Sequence, residues 1–159
     1  MTIVVRQGRQ GDHAYLEALG TDTAQAGVSK IRPVSGDTAA RAFRRLLAFC
    51  EQRQKTVVLI AESESIPVGF LILVTDIPDD VTQMPQAFVA YMAVEPVARR
   101  RGAARMLLAG AEREARKLGL PHLSLMVTAD NTSARRLYAS AGFVEERSIM
   151  TKPLEPLHA

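Results

Sequence analysis

The sequence predicts an α/β fold: a mixed, mostly antiparallel sheet of about six to seven strands, with helices on both faces and a central parallel strand–helix–strand unit. Three observations lead to it. Apolar runs of strand length alternate with segments of helical period. The runs at residues 56–61, 67–75 and 86–94 follow one another through connections that carry no helix, which makes an antiparallel meander. The last of these is followed by a helix and a further strand, and such a unit is a right-handed parallel crossover.

Taken in order, residues 3–6 are β-branched and precede a turn at Gly8 and Gly11, so they form a short strand. Asp12 N-caps a helix reaching about Leu19. Residues 20–36 are polar, hold Gly20, Gly27, Pro33 and Gly36 and show no period, which reads as a long loop with room for a helical turn. Asp37 or Thr38 caps a second helix. Its inner face carries Ala39, Ala42, Phe43, Leu46, Leu47 and Cys50, and its outer face Arg41, Arg44, Arg45 and Glu51. The near-continuous apolar run TVVLIA at 56–61 is a buried strand, and residues 67–75 return antiparallel to it. Residues 77–85 are a loop, and residues 86–94 a strand that Pro96 stops. A helix follows over 103–118, with Leu107, Ala111, Ala115 and Leu118 as its stripe and Gly119 at its stop. Residues 123–127 form a strand. Asn131 or Thr132 opens a helix with Ala134, Leu137, Tyr138 and Ala141 on one face, Gly142 ends it, and residues 144–151 form a last strand.

Bulk properties narrow the class. The chain has 159 residues, 47% apolar and 23% charged, which fits one domain over 1–159 with a sizeable core. No apolar run is long enough to span a bilayer, and the first residues lack the pattern of a signal peptide. Cys50 is the only cysteine, so no internal disulfide forms, and it reads as a buried, inert thiol with no partners for a metal. These features lead us to expect a cytoplasmic protein without a membrane partner. The net charge is +3, concentrated at 99–105 and 113–117, and aromatics make up 5%. A nucleic-acid binder shows a wider basic face with interleaved aromatics, so local phosphate binding explains the charge better.

The basic turn carries the chemistry. Arg99, Arg100, Arg101, Gly102, Ala103, Ala104 and Arg105 lie between a strand end and a helix start. A helix start leaves backbone N–H groups without intrahelical partners and carries partial positive charge. Gly102, Ala103 and Ala104 add almost no bulk, so a pyrophosphate can approach that backbone closely. No GxxxxGK[ST] loop and no GxGxxG dinucleotide fingerprint is present.

Arg99-x-x-Gly102-x-Ala104 after Val94-x-Pro96 resembles the acetyl-CoA-binding motif of the GCN5-related N-acetyltransferase (GNAT) superfamily. Asn131-x-x-Ala134-x-x-Leu137-Tyr138-x-x-x-Gly142-Phe143 resembles its second signature. The resemblance extends over the whole chain in element order and is densest over 86–143. It implies the GNAT fold, acetyl-CoA as co-substrate and no metal. It places the coenzyme pyrophosphate on the backbone of residues 100–105 and the pantothenate arm along Met92, Ala93 and Val94, as an added strand between two splayed neighbours. Asn131 then bonds the arm or caps the last helix, and Tyr138 gives a proton to the departing thiolate. A phenol is largely protonated at neutral pH and is able to do so.

The resemblance implies an N-acetyltransferase acting on a primary amine by direct attack in a ternary complex. The acceptor amine must lose a proton first. Residues 86–94 contain no Asp, Glu or His, and Met126 stands where ribosomal-protein N-terminal acetyltransferases carry a glutamate. Water, Tyr91, Glu62 and Asp76 stand as candidate relays; His122 precedes a strand far from the expected thiol and reads as structural, and His13 and His158 carry no usable context. Phe143 runs almost directly into the last strand, without the hairpin of that branch, so a small-molecule amine is the expected acceptor. Acetylation of a protein α-amine or lysine is the alternative, and a coenzyme A-binding regulatory module without turnover a second one. The assembly is expected to be a monomer or homodimer.

Overall fold

The computed structural model describes residues 1–157; His158 lies outside the described residues. Five strands form one sheet: β1 (Ile3–Gln7), β2 (Thr56–Ser63), β3 (Ile66–Val74), β4 (Ala87–Val94) and β5 (Leu123–Leu125). They lie in the order β1-β2-β3-β4-β5, all antiparallel except the β4–β5 pair. Four helices complete the fold: α1 (His13–Thr23), α2 (Gly36–Glu51), α3 (Ala103–Lys117) and α4 (Thr132–Ser140). The β4–α3–β5 crossover is the expected parallel unit at the expected place. The strand count is lower than expected because residues 144–151 pair with nothing. They form no ladder with any strand among the described residues, and without a ladder an extended segment is no strand.

The sheet separates two apolar layers. On one face α3 packs Leu107, Leu108, Ala111 and Ala115 against Leu59, Leu71, Leu73 and Val89. On the other, Leu16, Leu19, Phe43, Leu47 and Cys50 of α1 and α2 cover Ile60, Phe70 and Ile72. Phe70 lies at the centre of this second layer, stacked on Tyr91 at 5.9 Å and met edge-on by Tyr15 at 6.4 Å. The Cys50 thiol is buried there, and burial pushes its pKa up, as expected of an inert thiol.

Two boundaries differ from the sequence expectation. α1 runs on to Thr23 and a 3-10 turn (Ala24–Gly27) follows, shortening the predicted loop. Gly20 sits inside the helix because a Cβ there would stand 2.0 Å from the Phe43 ring. The glycine permits close helix packing and marks no stop. α2 is capped by Ser35, whose hydroxyl accepts from the Thr38 N–H at 3.2 Å, and not by Asp37 or Thr38.

Asp12 occupies the N-cap position of α1 but does not cap it. Its carboxylate accepts both terminal guanidinium nitrogens of Arg6, at 2.8 and 2.9 Å, and the Arg9 N–H at 2.7 Å. The Arg6 Nε donates to Glu62 at 2.6 Å. Arg6 thereby holds the Asp12 carboxyl below its usual range, against the opposing effect of burial. Asp12→Ala is expected to lower unfolding free energy by about 1.5–3 kcal/mol, because a charge-assisted pair is lost. A depressed folded-state pKa stabilises above the unfolded value of about 3.9, and that stabilisation is lost as pH falls below it. Urea titrations at neutral pH and near pH 3 should show the gap between wild type and variant closing in acid. Among the described residues no helix is long and apolar enough to cross a membrane.

Candidate functional site

β4 is where the sheet opens. Its ladder with β3 pairs Ile72 with Tyr91 and Leu73 with Val89, so Ala90 is an extra residue in a bulge. A bulge bends its strand and raises the local twist. On the other side, β4 pairs with β5 only from Ala87 to Val89. Beyond Val89 the two parallel strands diverge, and Met92, Ala93 and Val94 have no β5 partner. Met92, Val94, Leu125 and Tyr138 all pack against the α3-side cluster, which places them on one side of this cleft.

The turn after β4 presents N–H groups in series. Pro96–Ala98 forms a 3-10 turn. Arg100 has φ 58° and Gly102 φ 89°, both in the left-handed region, so the chain reverses sharply before α3. Arg101 N donates weakly to Ala98 O at 3.4 Å, and Met106 N is the first in α3 to bond back, to Gly102 O at 3.0 Å. The N–H groups of Gly102, Ala103, Ala104 and Arg105 have no protein acceptor among the described residues. Gly102 is uncrowded: a Cβ there would have no heavy atom within 4 Å, so only the backbone conformation calls for glycine. The arginine side chains are divided. Arg100 and Arg101 are exposed, Arg99 Nε donates to Val94 O at 3.2 Å, and Arg105 donates to Ser140 Oγ at 2.7 Å, tying the start of α3 to the end of α4.

α4 begins at Asn131, whose Oδ1 accepts from Ala134 N at 3.2 Å. This is the capping role, and it leaves the side-chain NH2 group with both donors free of protein acceptors among the described residues. Tyr138 is half-buried, packed edge-on against Phe143 at 5.8 Å. Phe143 is held there by its own N–H, which donates to Tyr138 O at 3.0 Å. The Tyr138 hydroxyl makes no protein hydrogen bond among the described residues, and burial raises its pKa above 10.

The segment after α1 closes over the loop between β5 and α4, a feature that local patterns in the sequence do not signal. Thr128 Oγ1 donates to Gly27 O at 2.6 Å, and Asp130 accepts the Lys30 N–H at 2.8 Å. At the base of this strap, Tyr91 shares a hydrogen bond with Thr23 at 2.9 Å and donates to Gly20 O at 3.2 Å. The other candidate relays are engaged elsewhere. Glu62 is paired with Arg6 on β2, two strands from β4, and Asp76 with Arg53 at 2.9 Å. His122 contributes its carbonyl to Ala87 N at 2.9 Å, and His13 bonds Glu51 at 2.5 Å on the exposed side of α1. Among the described residues no group of three or more His, Cys, Asp or Glu is arranged to hold a metal ion.

This arrangement of bulged strand, splayed neighbour and N–H-lined turn defines an acyl-coenzyme A-type transferase fold. The profile of the acetyltransferase (GNAT) family matches residues 30–143, and the chain belongs to that family. It is 33% identical over 104 residues to L-2,4-diaminobutyric acid acetyltransferase of Streptomyces coelicolor, a match covering 64% of this chain and 56% of that one. The matches to curated relatives span about half of their length, 44% and 56%. Among solved structures, a Pyrococcus furiosus protein described as an acetyl transferase aligns with TM-score 0.81 at 22% identity, covering 96% of this chain and 100% of that one. AAC(6')-Iy in complex with a bisubstrate analogue, CoA-S-monomethyl-acetylneamine, aligns with TM-score 0.67 at 20% identity, covering 97% and 99%. At these identities the structural likeness shows the fold.

Proposed function

We propose that this chain is an acetyl-CoA-dependent N-acetyltransferase acting on the primary amine of a small molecule by direct attack in a ternary complex. One observation carries the reading: the unpaired edge of β4 past Val89 leads directly into the N–H groups of Gly102–Arg105. The first suits a ligand with peptide-like amides, the second a pyrophosphate, and coenzyme A has both in that order. Met92, Ala93 and Val94 would bond the pantothenate arm. The backbone of Arg100, Gly102, Ala103, Ala104 and Arg105 would hold the pyrophosphate, with Arg99 and Arg101 adding charge. Asn131, its Oδ1 committed to the cap, would donate to the arm through its NH2 group.

In the reaction, the neutral amine attacks the acetyl carbonyl carbon, a backbone N–H near Met92–Ala93 steadies the oxyanion, and the carbon–sulfur bond breaks. Tyr138 donates its proton to the departing thiolate. The proton lost by the amine passes to water, since Glu62 and Asp76 are held by arginines and the Tyr91 hydroxyl is engaged at the base of the strap.

A small acceptor is supported by the hydrogen bonds that tie the segment after α1 to the loop between β5 and α4, from Thr128 to the Gly27 carbonyl and from the Lys30 N–H to Asp130, since a bridged loop leaves less room beside it for a polypeptide. The diaminobutyric acid acetyltransferase relative points the same way. Acetyl transfer measured across diamino acids, aminoglycosides and N-terminal or lysine peptides tests this. Turnover confined to small amines is expected, and turnover of peptides alone overturns the choice of acceptor. Such an enzyme works in the cytoplasm, where acetyl-CoA is supplied.

A further inference from the structure

α4 carries Tyr138, yet the rest of the protein holds this helix lightly. None of its nine residues is buried. Leu137 and Tyr138 are half-buried where they lean on the α3-side cluster. The Asn131 cap and the backbone bonds at both helix ends are local, and Arg135 bonds forward, to Glu145 at 3.2 Å. Among the described residues one hydrogen bond joins α4 to any earlier element: the Arg105 guanidinium donates to Ser140 Oγ at 2.7 Å.

Both ends of that bond are fixed. Ser140 Oγ spends its single proton on Leu137 O at 2.7 Å, so it meets Arg105 with a lone pair. Leu137 O also accepts from Ala141 N at 3.0 Å, and Tyr138 O accepts from the N–H groups of Ala141 and Phe143 at 3.0 Å. The hydroxyl is thereby built into the same last turn that fixes the Tyr138 backbone. At the other end, Arg105 stands in the first turn of α3, and its own N–H is one of the groups without a protein acceptor among the described residues. One residue presents its backbone to the proposed pyrophosphate site and its side chain to the helix that carries the proposed proton donor. Arg100 and Arg101, by contrast, are exposed and hold no protein group among the described residues.

We propose that Arg105 and Ser140 are positioning residues: their bond sets where α4 holds Tyr138 opposite the departing sulfur, so that the turn which receives the coenzyme also aligns the acid that serves it. The proposal rests on the function proposed above. Neither side chain reacts. A general acid works only within hydrogen-bond reach of the atom it protonates, so a small shift of α4 lowers the rate while the coenzyme still binds. The bond lies at the surface and adds little to folding stability, which separates its effect on the rate from one on the fold.

Steady-state kinetics and calorimetric acetyl-CoA titration of Ser140→Ala, Arg105→Ala, the double variant and Ser140→Thr test it. An exposed serine in a helix accepts alanine without loss of folding. Each single alanine variant is expected to lower kcat about 3- to 10-fold, the effect of one lost charge-assisted hydrogen bond, with acetyl-CoA affinity unchanged. The double variant should be no slower than either single one, because both changes remove the same bond. Ser140→Thr keeps a hydroxyl and should restore the rate. The alkaline limb of kcat should persist in all of them, which distinguishes a misplaced Tyr138 from a missing one. Wild-type kcat in Ser140→Ala, or additive losses in the double variant, overturns the proposal. So does a loss of acetyl-CoA affinity in Arg105→Ala with an unaltered Ser140→Ala, since the guanidinium then serves the pyrophosphate by its charge. A wild type that transfers acetyl to no amine is a separate result: it removes the proposed function, and this proposal with it.

Discussion

Tyr138→Phe lowers the rate of acetyl transfer by about 10²- to 10⁴-fold, the range for loss of a positioned general acid, with little change in acetyl-CoA affinity. The substitution keeps the ring, so the edge-on contact with Phe143 and the packing against the α3-side cluster survive. Only the hydroxyl is lost, and it bonds no protein group among the described residues. A drop confined to kcat therefore isolates proton donation. The pH profile adds a second readout. Burial raises the Tyr138 pKa above 10, and the residue is competent only while protonated. Wild-type kcat should hold through neutral and mildly alkaline pH and fall only beyond the ordinary phenol range, and that alkaline limb should vanish in the variant. Equal rates for wild type and Tyr138→Phe would remove the tyrosine from the mechanism.

Gly102→Val is expected to weaken acetyl-CoA binding about 10- to 100-fold. Left-handed backbone costs an L-residue about 1–2 kcal/mol, and more when it is β-branched, while about 1.4 kcal/mol changes affinity tenfold. A side chain at Gly102 would meet nothing within 4 Å, so the defect is conformational and falls on the N–H groups of the turn. Gly102→Ala should lie between wild type and valine. Arg100 is the informative contrast, since it also has positive φ, at 58°. Arg100→Gly relaxes that residue and removes an exposed charge worth about 1 kcal/mol or less. Coenzyme titrations of the three variants should rank valine worst and Arg100→Gly near wild type. The reverse ranking would mean that side-chain charge, and not backbone, holds the pyrophosphate.

How much of this was legible in the sequence depended on whether local rules decided the outcome. α2 and α3 emerged with the centres of their apolar faces where period placed them, because Phe43, Leu47, Leu107 and Ala111 have only one layer to enter, whereas Ala42 is exposed and Leu118, just past the end of α3, is 55% exposed. β4 and the turn after it were readable because Pro96 has its φ fixed by the ring and Gly102 is the residue type that accepts left-handed backbone without cost. The end of α1 was not, because Gly20 answers to the Phe43 ring on another helix. The last strand was misjudged for a similar reason. Residues 144–151 have the composition of a strand, but a strand is defined by its ladder, and they form none with the described residues. The strap from Gly27 and Lys30 to Thr128 and Asp130 joins residues about a hundred positions apart, beyond the reach of any local pattern. The missing general base is the one gap that sequence and structure share, since β4 lacks a carboxylate and Glu62 and Asp76 are engaged elsewhere.

Calorimetric titration of the purified chain with acetyl-CoA bears most directly on the proposed function. One site per chain is expected, with micromolar affinity, competition by coenzyme A, loss of affinity in Gly102→Val and none in Tyr138→Phe. Absence of binding at millimolar acetyl-CoA in a folded wild-type sample would contradict the proposed function.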